Sequence, residues 1–533
     1  MQLLIPILVL LCAPAAMFGV RSVRNGFATQ WLIAVTSLVG VLVYLGYLRG
    51  QLPIEAQIAV WQPETLFPVT PMLLLDSISW PFAMVVLIIA IAVLVTGVVR
   101  LVLGIWLPWA GTLALGAISL LAVLAGDPLM LLFAWASLDL VDLMIEFIQE
   151  SSESSWEQAV IGLAARISGM AFLIWAMLSA KSQGITLSFT FIPSNISLFL
   201  LLAAGLRLGV IPLQAPLLSQ APVRQGLGTS LRLLPMASSL VLLSRAATVG
   251  VPQPMVLFLL IITAVAASYS ALSWLLAKNV LEARPFWILS MAALAVSAAI
   301  KGDFQACQSW GLALLLGGSF IFLLTPNHQR LLPLGILGLL SLSALPFSLT
   351  WNGLGIYTLS GDGLTAVANG LVNGVLFLSH TFILLGFIKF AVQIPAEKPA
   401  LERWMWLIYP VGLVMIILTA LLTGWDQLPE LRQLSWVDWA AGLSTLAAAV
   451  VVWRWGRVFA DVIPGQSAFR RSSDWSTTFW AYLLSMKWLY RFANLIYRMM
   501  GRILDGFTHA LEGDGGLLWA FVLLGLIWSL FLG

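Results

Sequence analysis

The sequence predicts an all-α polytopic membrane protein, and three observations carry that prediction. Of the 533 residues, 61% are hydrophobic and only 9% are charged, which leaves more apolar surface than a water-soluble chain can bury. Apolar runs of about 20 residues, long enough to cross a bilayer as a helix, recur along the whole chain. Its two cysteines and three histidines stand at unrelated spacings, so neither a disulfide framework, a metal site nor any cofactor is predicted.

The sequence contains 16 apolar runs of spanning length. The first is expected to be a transmembrane helix and not a cleaved signal peptide, because no basic segment precedes it and Arg21 and Arg24 follow it. The runs cover residues 2–20, 30–48, 72–99, 101–123, 128–148, 157–180, 196–217, 227–249, 253–277, 283–300, 304–325, 330–350, 363–391, 405–424, 437–456 and 515–532.

The distribution of Lys and Arg predicts the orientation of these spans. If both termini lie outside, 18 cationic residues fall on the cytoplasmic side, where cationic loops concentrate. Only four, Arg49, Lys181, Lys301 and Arg432, then fall on the outer side. We therefore expect an integral protein of a bacterial-type inner membrane with both termini outside.

Two spans are interrupted by proline, which removes a helix hydrogen bond and clashes with the preceding turn. Pro212 and Pro216 lie in the seventh span, and Pro346 lies near the end of the twelfth. Broken helices at corresponding positions are typical of two inverted repeats, here of five helices each, although two ordinary proline kinks would give the same pattern. The expected organisation is N-terminal helices in 1–100, repeats in 101–249 and 250–392, and additional helices in 393–456.

The remaining residues comprise a polar segment, 457–514, and a last transmembrane helix, 515–533. Within the polar segment Lys487, Arg491, Arg498 and Arg502 fall inside about 60° of arc on a helix, and apolar residues cover a separate arc. This pattern predicts an amphipathic helix on the cytoplasmic side, lying along the membrane surface or against a partner subunit.

One apolar span carries an acidic stripe. Asp139, Asp142 and Glu146 lie on one face of the helix predicted for 128–148. Each charge near the bilayer centre costs roughly 2.5–3.5 kcal/mol on insertion scales. The stripe therefore implies a polar interior or basic partners, unless each acid reaches water near the cytoplasmic mouth.

Four segments occur in a characteristic order and span spacing: LLLDSISWPF (73–82), LLFAWASLDL (131–140), LRLGVIPLQAPLLSQAP (206–222) and SLSALPF (341–347). Together they resemble the antiporter-like membrane subunits of respiratory complex I, multisubunit cation/proton antiporters and membrane-bound hydrogenases. In that family protons are thought to pass through buried Glu, Lys and His residues near the middle of the membrane. The positions that match those residues here carry Ala136, Arg207, Gln214, Leu231 beside Arg232, Gln308 and Leu312.

The substitution of Arg207 for lysine changes the predicted chemistry. A buried lysine can lose its proton near neutral pH, whereas arginine keeps its charge. Asp139 stands one turn beyond Ala136, so we expect Asp139 to pair with Arg207, together with Arg166 of the sixth span. Such a pair is a good electrostatic clamp and a poor proton relay.

The second half of the chain carries fewer ionisable residues within its spans. His380, on the thirteenth span, is the candidate there that titrates in the physiological range, although a lone membrane histidine is more often a hydrogen-bonded packing residue. Asp142 and Arg232 complete the candidate ion-pathway and charge-pair residues, with Asp139, Arg166, Arg207, Gln214, Gln308 and His380.

The resemblance implies a membrane subunit of a complex I-like assembly, of the NADH-quinone oxidoreductase or hydrogenase type, that contributes to proton or cation translocation. Such a subunit needs other membrane subunits for redox chemistry, because no catalytic or cofactor site of its own is predicted. The alternatives are a non-conducting scaffold paralogue, or a cation or bicarbonate transport subunit acting with a soluble partner. A membrane-embedded enzyme is less well supported, since the Ser/Glu run ESSESSWEQ (150–158) lacks metal-ligand spacing. No nucleic-acid partner is expected.

Overall fold

The structure, a computed structural model, describes most of the chain. Residues Met1–Val462 form one compact unit, and Ile463–Gly533 form a second, of which only residues 499, 521–524 and 528 are described. The predicted amphipathic helix and most of the last predicted span thus lie outside the described residues. In the first unit the described residues are 2–23, 27–57, 71–97, 107–149, 153–211, 225–277, 280–324, 331–358, 365–392, 403–426, 439–440 and 442–451.

Helices form almost all of the described part of the first unit. Two four-residue strands, β1 (Ile54–Gln57) and β2 (Met72–Leu75), pair antiparallel with Ile54 opposite Leu75. The helices are α1 (Leu4–Val23), α2 (Phe27–Leu48), α3 (Ser79–Gly97), α4 (Leu107–Val123), α5 (Pro128–Gln149), α6 (Glu153–Ser182), α7 (Ser194–Arg207), α8 (Gln225–Ala247), α9 (Gln253–Leu276), α10 (Val280–Ile300), α11 (Phe304–Leu323), α12 (Leu332–Ser341), α13 (Gly355–Thr358), α14 (Ala366–Val392), α15 (Arg403–Asp426) and α16 (Gly442–Val451).

Eleven of the described helices are long and apolar enough to cross a membrane, and four more are apolar but shorter. The all-α polytopic membrane fold is therefore confirmed, while the count of 16 spans stays a prediction. The interior of the bundle is formed by α10 and α11, where nearly every residue is buried, with α3 and α8 beside them. Fewer than a third of the residues are buried in the apolar stretches of α1, α2 and α6, which suits helices that face lipid.

The third predicted span begins later than its apolar run. Residues 72–75 form strand β2, and α3 starts at Ser79. Asp76 ends the strand and caps the helix, since its Oδ1 accepts from the Ser79 N–H at 2.8 Å and from the Ser79 hydroxyl at 2.8 Å. A continuous apolar run has the same hydropathy in a strand and in a helix, so only the capping residues mark the boundary.

Both proline-containing spans are broken. Helix α7 ends at Arg207 and a turn follows, with Gly209 at φ 77°. Helix α12 ends at Ser341, and Ala344 and Phe347 in the following turns have positive φ values of 55° and 68°. Pro346 lies within the second break, whereas Pro212 and Pro216 lie outside the described residues.

Two glycines pack directly on the second break. A Cβ at Gly424 would lie on the carbonyl of Phe347 and the backbone of Ser348, and a Cβ at Gly442 would lie on the Ala344 carbonyl. Since only glycine permits so close an approach between backbones, α15 and α16 hold the break in place through these contacts.

The two halves pack in similar ways. Helix α4 packs against α8 as α9 packs against α14, and α4 contacts α5 as α9 contacts α10. A short helix, α7 or α12, occupies the fourth place in each half. The two repeats, their inverted symmetry and the domain boundaries stay predictions.

The interior of the second half is built on three fully buried tryptophans. Trp274, Trp287 and Trp310 each donate the indole N–H to a backbone carbonyl, of Ile383 at 3.2 Å, Leu314 at 3.1 Å and Gly353 at 3.1 Å. The rings of Trp274 and Trp287 meet edge to face, with centroids 5.1 Å apart. Each large ring therefore lies in an apolar interior without an unpaired donor.

Candidate functional site

Four helices of the first half bring charged side chains to one place. Asp139 and Asp142 stand three residues apart on α5, so their side chains leave the same face of the helix. Arg166 lies in the middle of α6, Arg207 is the last residue of α7, and Arg232 lies on α8. We call Asp139, Asp142, Arg166, Arg207 and Arg232 the charge cluster.

The innermost contact of the charge cluster is a bidentate ion pair. Arg207 donates from Nη1 to Asp139 Oδ2 at 2.7 Å and from Nη2 to Asp139 Oδ1 at 2.8 Å. The two side chains are only 3% and 5% exposed, respectively. The parallel N–H···O bonds fix the relative orientation of α5 and the end of α7, and they are of the charge-assisted kind.

Arg166 joins both carboxylates. Its Nη1 lies 2.6 Å from Asp142 Oδ2, and its Nε lies 3.2 Å from Asp139 Oδ1. Its backbone carbonyl also faces Arg207 Nη1 at 3.5 Å. Helix α6 therefore carries the positive charge that keeps two acidic groups together on one face of α5.

Trp135 and Gly169 shape the position of Arg207. The guanidinium lies over the Trp135 ring, 4.4 Å from its centroid, and the Trp135 N–H donates to Ser238 Oγ at 2.9 Å. On the other side, a Cβ at Gly169 would lie 2.7 Å from Arg207 Cγ and 2.9 Å from the Ala203 carbonyl. The missing side chain at Gly169 thus makes room for the arginine stem.

Replacing Gly169 by alanine is expected to destabilise the protein by about 1–3 kcal/mol, because the added methyl group overlaps the Arg207 side chain and the α7 backbone. Thermal unfolding of the purified protein in detergent measures the effect. Gly162→Ala on the same helix is the matched control, since a Cβ there would meet no atom within 4 Å. Equal melting temperatures for the two variants would contradict this account of the site.

A cavity of about 50 Å³ lies beside the ion pair. Besides the charge cluster, Ser239 contributes a hydroxyl to its wall, and the rest of the lining is mostly apolar. This volume is large enough to hold water or a small ion. The complete lining is Leu138, Asp139, Asp142, Arg166, Arg207, Leu231, Arg232, Pro235, Met236 and Ser239.

The structure brings five of the eight candidate residues to this cavity and separates two others from it. Gln308 lies on α11, where its Nε2 faces the carbonyls of Ser77 and Ile78 at 3.4 Å, and His380 lies on α14. The remaining candidate, Gln214, lies outside the described residues, as does the side chain of Glu146.

His380 is fully buried at the second broken helix. Its Nε2 lies 2.9 Å from the Leu342 carbonyl, and its Nδ1 lies 3.0 Å from the Tyr357 hydroxyl. Because a carbonyl can only accept, Nε2 is the donor and Nδ1 accepts from Tyr357 in the neutral ring. His380 thus links α14 to the chain just after α12 through Nε2 and to α13 through Nδ1.

Lys301 is a residue that sequence reasoning missed as a candidate. Its ammonium, in the turn between α10 and α11, donates to the Ile356 carbonyl at 2.6 Å and to Asn373 Oδ1 at 2.6 Å. Asn373 in turn donates to the Tyr357 carbonyl at 2.8 Å. Burial lowers the pKa of Lys301 to about 8, while Asp303 opposes that shift. Lys301 is therefore a cation that can exchange its proton in mildly alkaline solution.

Sequence reasoning also missed the ion pair between Arg245 and Asp76. Arg245 Nη2 lies 3.3 Å from Asp76 Oδ2, and the Arg245 side chain is only 2% exposed. Its guanidinium also lies over the Phe189 ring at 5.2 Å. The sequence did contain a signal for this pair, namely an arginine within the eighth predicted span and an aspartate in the segment 73–82. This pair ties the end of α8 to the start of α3.

Among the described residues, no group of three or more His, Cys, Asp or Glu side chains is placed to hold a metal ion. The charge cluster offers only two carboxylates, and both face arginines. The chemistry available at the site is therefore electrostatic: ion pairing, hydrogen bonding and the attraction or exclusion of small ions.

No family model matches the chain, and no curated protein matches it. Solved structures do match. The Mrp complex from Dietzia sp. DQ12-45-1b has a chain that superposes on all of this one with a TM-score of 0.74 at 17% identity. This chain spans 63% of the length of that Mrp chain.

Two further structures have similar folds. In the archaeal membrane-bound sulfane sulfur reductase, a respiratory membrane complex, one chain matches over the full length of both chains, with a TM-score of 0.71 and 14% identity. In respiratory complex I from Thermus thermophilus with bound aureothin, the match covers 79% of this chain and 97% of the other, with a TM-score of 0.58 and 18% identity. The chain thus has the fold of antiporter-like membrane subunits, and the predicted resemblance is confirmed for the fold.

Proposed function

We propose that the chain is a membrane subunit of a multisubunit, complex I-like assembly, in which the charge cluster is a fixed-charge element and not a proton relay. The fold shared with chains of the Mrp complex, sulfane sulfur reductase and complex I supports the first part. The bidentate contact between Asp139 and Arg207 is the observation that supports the second. Arginine stays protonated across the physiological pH range, so Arg207 cannot pass a proton on.

In this proposal the charge cluster joins α5, α6 and α7 through permanent charges. Asp139 on α5 pairs with Arg207 on α7 and Arg166 on α6, so one carboxylate ties three helices together. The partners are other membrane subunits, which supply the redox chemistry. The setting is a bacterial-type inner membrane with both termini outside.

Proton flux through the intact assembly tests the fixed-charge role. The assembly would be purified through a tag on this chain and reconstituted in proteoliposomes, with wild type and Arg207→Ala compared at equal amounts of complex. We expect the same proton flux per complex and a lower yield of assembled Arg207→Ala complex, because the ion pair is structural. A loss of flux in correctly assembled Arg207→Ala complex would instead support proton or cation translocation through this site.

The subunits that co-purify with the tagged chain test the proposed assembly. Quinone-handling or iron–sulfur subunits are expected. Recovery of a soluble zinc protein as the sole partner would favour the alternative, a cation or bicarbonate transport subunit. Recovery of the chain alone from gently solubilised membranes would contradict membership of any such assembly.

A further inference from the structure

The cavity at the charge cluster has an excess of positive charge. Three arginines and two aspartates line it, which leaves a formal charge of +1 on the described side chains. Asp139 is engaged by Arg207 and Arg166, and Asp142 is engaged by Arg166 at 2.6 Å. Among the described carboxylates, none lies within 4 Å of Arg232. A charge inside a membrane bundle is costly unless a counter-charge accompanies it.

The positive charge comes from three arginines, which keep their protons throughout the physiological pH range. A cation that enters the cavity therefore meets net repulsion, whereas an anion meets attraction. Rings of Arg or Lys select anions in membrane pores by the same physics.

The lining also suits a small, partly dehydrated ion. Ser239 presents a hydroxyl that can donate to an anion, and Leu138, Leu231, Pro235 and Met236 supply apolar walls. The volume of about 50 Å³ is large enough for a small inorganic ion. Charge–charge attraction is stronger there than in bulk water, because the effective dielectric constant of a partly buried site is lower.

We propose that this cavity binds a small monovalent inorganic anion, of the size of chloride, beside Arg232 and Ser239. The proposal does not rest on the assembly or on proton flux. The competing counter-charge is Glu146, which stands one helical turn from Asp142 on the predicted acidic stripe and whose side chain lies outside the described residues. The halide response of Glu146→Gln distinguishes a bound anion from the Glu146 carboxylate.

Thermal unfolding of the purified full-length protein in detergent tests the proposal, followed through its 24 tryptophans. Sodium gluconate would be replaced stepwise by sodium chloride or sodium bromide at constant ionic strength. We expect both halides to raise the melting temperature by about 2 °C or more, with saturation, since a ligand that binds only the folded state stabilises it. Arg232→Gln should abolish this shift, and Arg232→Lys should keep it because the charge remains.

Arg49→Gln is the matched control, because it removes the same charge from an exposed ion pair in which Arg49 is 53% exposed. It should respond to halide as the wild type does. A wild-type response that is absent, or that rises without saturation, would overturn the proposal, as would an unchanged response in Arg232→Gln. A halide response that appears only in Glu146→Gln would show that the Glu146 carboxylate occupies the position instead.

Discussion

Asp139→Asn is expected to lower the free energy of unfolding by about 3–5 kcal/mol, because it leaves the buried Arg207 guanidinium without its carboxylate. The asparagine has the same shape and keeps one oxygen that can accept a hydrogen bond. It cannot balance a positive charge that lies over Trp135 with a side chain only 3% exposed. The loss is therefore electrostatic and not a loss of packing. Thermal or denaturant unfolding in detergent measures it.

Asp426→Asn provides a matched control for that experiment. Asp426 also pairs with an arginine, Arg49, but the two side chains are 58% and 53% exposed. Exposed ion pairs contribute about 0–1 kcal/mol, so this variant should be close to the wild type. The double variant Asp139→Asn with Arg207→Gln should recover part of the loss, since it removes both charges. Equal destabilisation by Asp139→Asn and Asp426→Asn would contradict a buried, stability-bearing ion pair.

Gly386→Ala is expected to destabilise the protein by about 3 kcal/mol, the upper end of the range for overpacking a core. The indole ring of Trp274, on α9, lies directly on Gly386 of α14, so an added methyl group overlaps the ring. The ring cannot move without losing its hydrogen bond to the Ile383 carbonyl and its contact with Trp287. The melting temperature measures the loss of stability, and the near-UV circular dichroism of the tryptophans reports the displacement of the Trp274 ring.

Gly374→Ala, on the same helix, is the control for Gly386→Ala. A Cβ at Gly374 would meet no atom within 4 Å, so alanine there should be neutral or stabilise the helix by about 0.5–1 kcal/mol. Introducing Gly386→Ala into a Trp274→Leu background should cost less than in the wild type, because the smaller side chain leaves room. Additive effects of the two substitutions would show that Gly386 and Trp274 do not interact as the structure places them.

The sequence was enough to predict both the membrane-protein class and the pairing of Asp139 with Arg207, because placing a charge in hydrocarbon is costly. Few charged residues lie within the spans, so each must find one of a small number of partners. Asp139 and Arg207, 68 residues apart, could be matched on that basis, and the structure places them in contact.

The start of α3 shows that hydropathy alone does not predict where a strand ends and a helix begins. Residues 72–75 are as apolar as the helix that follows, yet they pair with β1, and β2 also meets the chain ahead of α5. There Asp127 Oδ2 accepts from the Met72 N–H at 2.6 Å, and its Oδ1 accepts from the Met130 N–H at 2.8 Å. Such a contact depends on a partner 55 residues away, which no local pattern reveals.

Composition, the charge distribution and a few degenerate motifs were enough to predict a helical membrane bundle with an acidic stripe that faces arginine. The structure added contacts that depend on where the backbone runs. Arg166 pairs with both aspartates, and Gly169 leaves space for the Arg207 side chain. Lys301 donates to a backbone carbonyl and to the Asn373 amide oxygen. The physical reason is that the free energy of burying an apolar side chain, and the cost of burying a charge, depend mainly on residue type. Both can therefore be estimated from the sequence alone. Hydrogen bonds to carbonyls and close helix approaches arise only where broken and packed helices bring distant residues together.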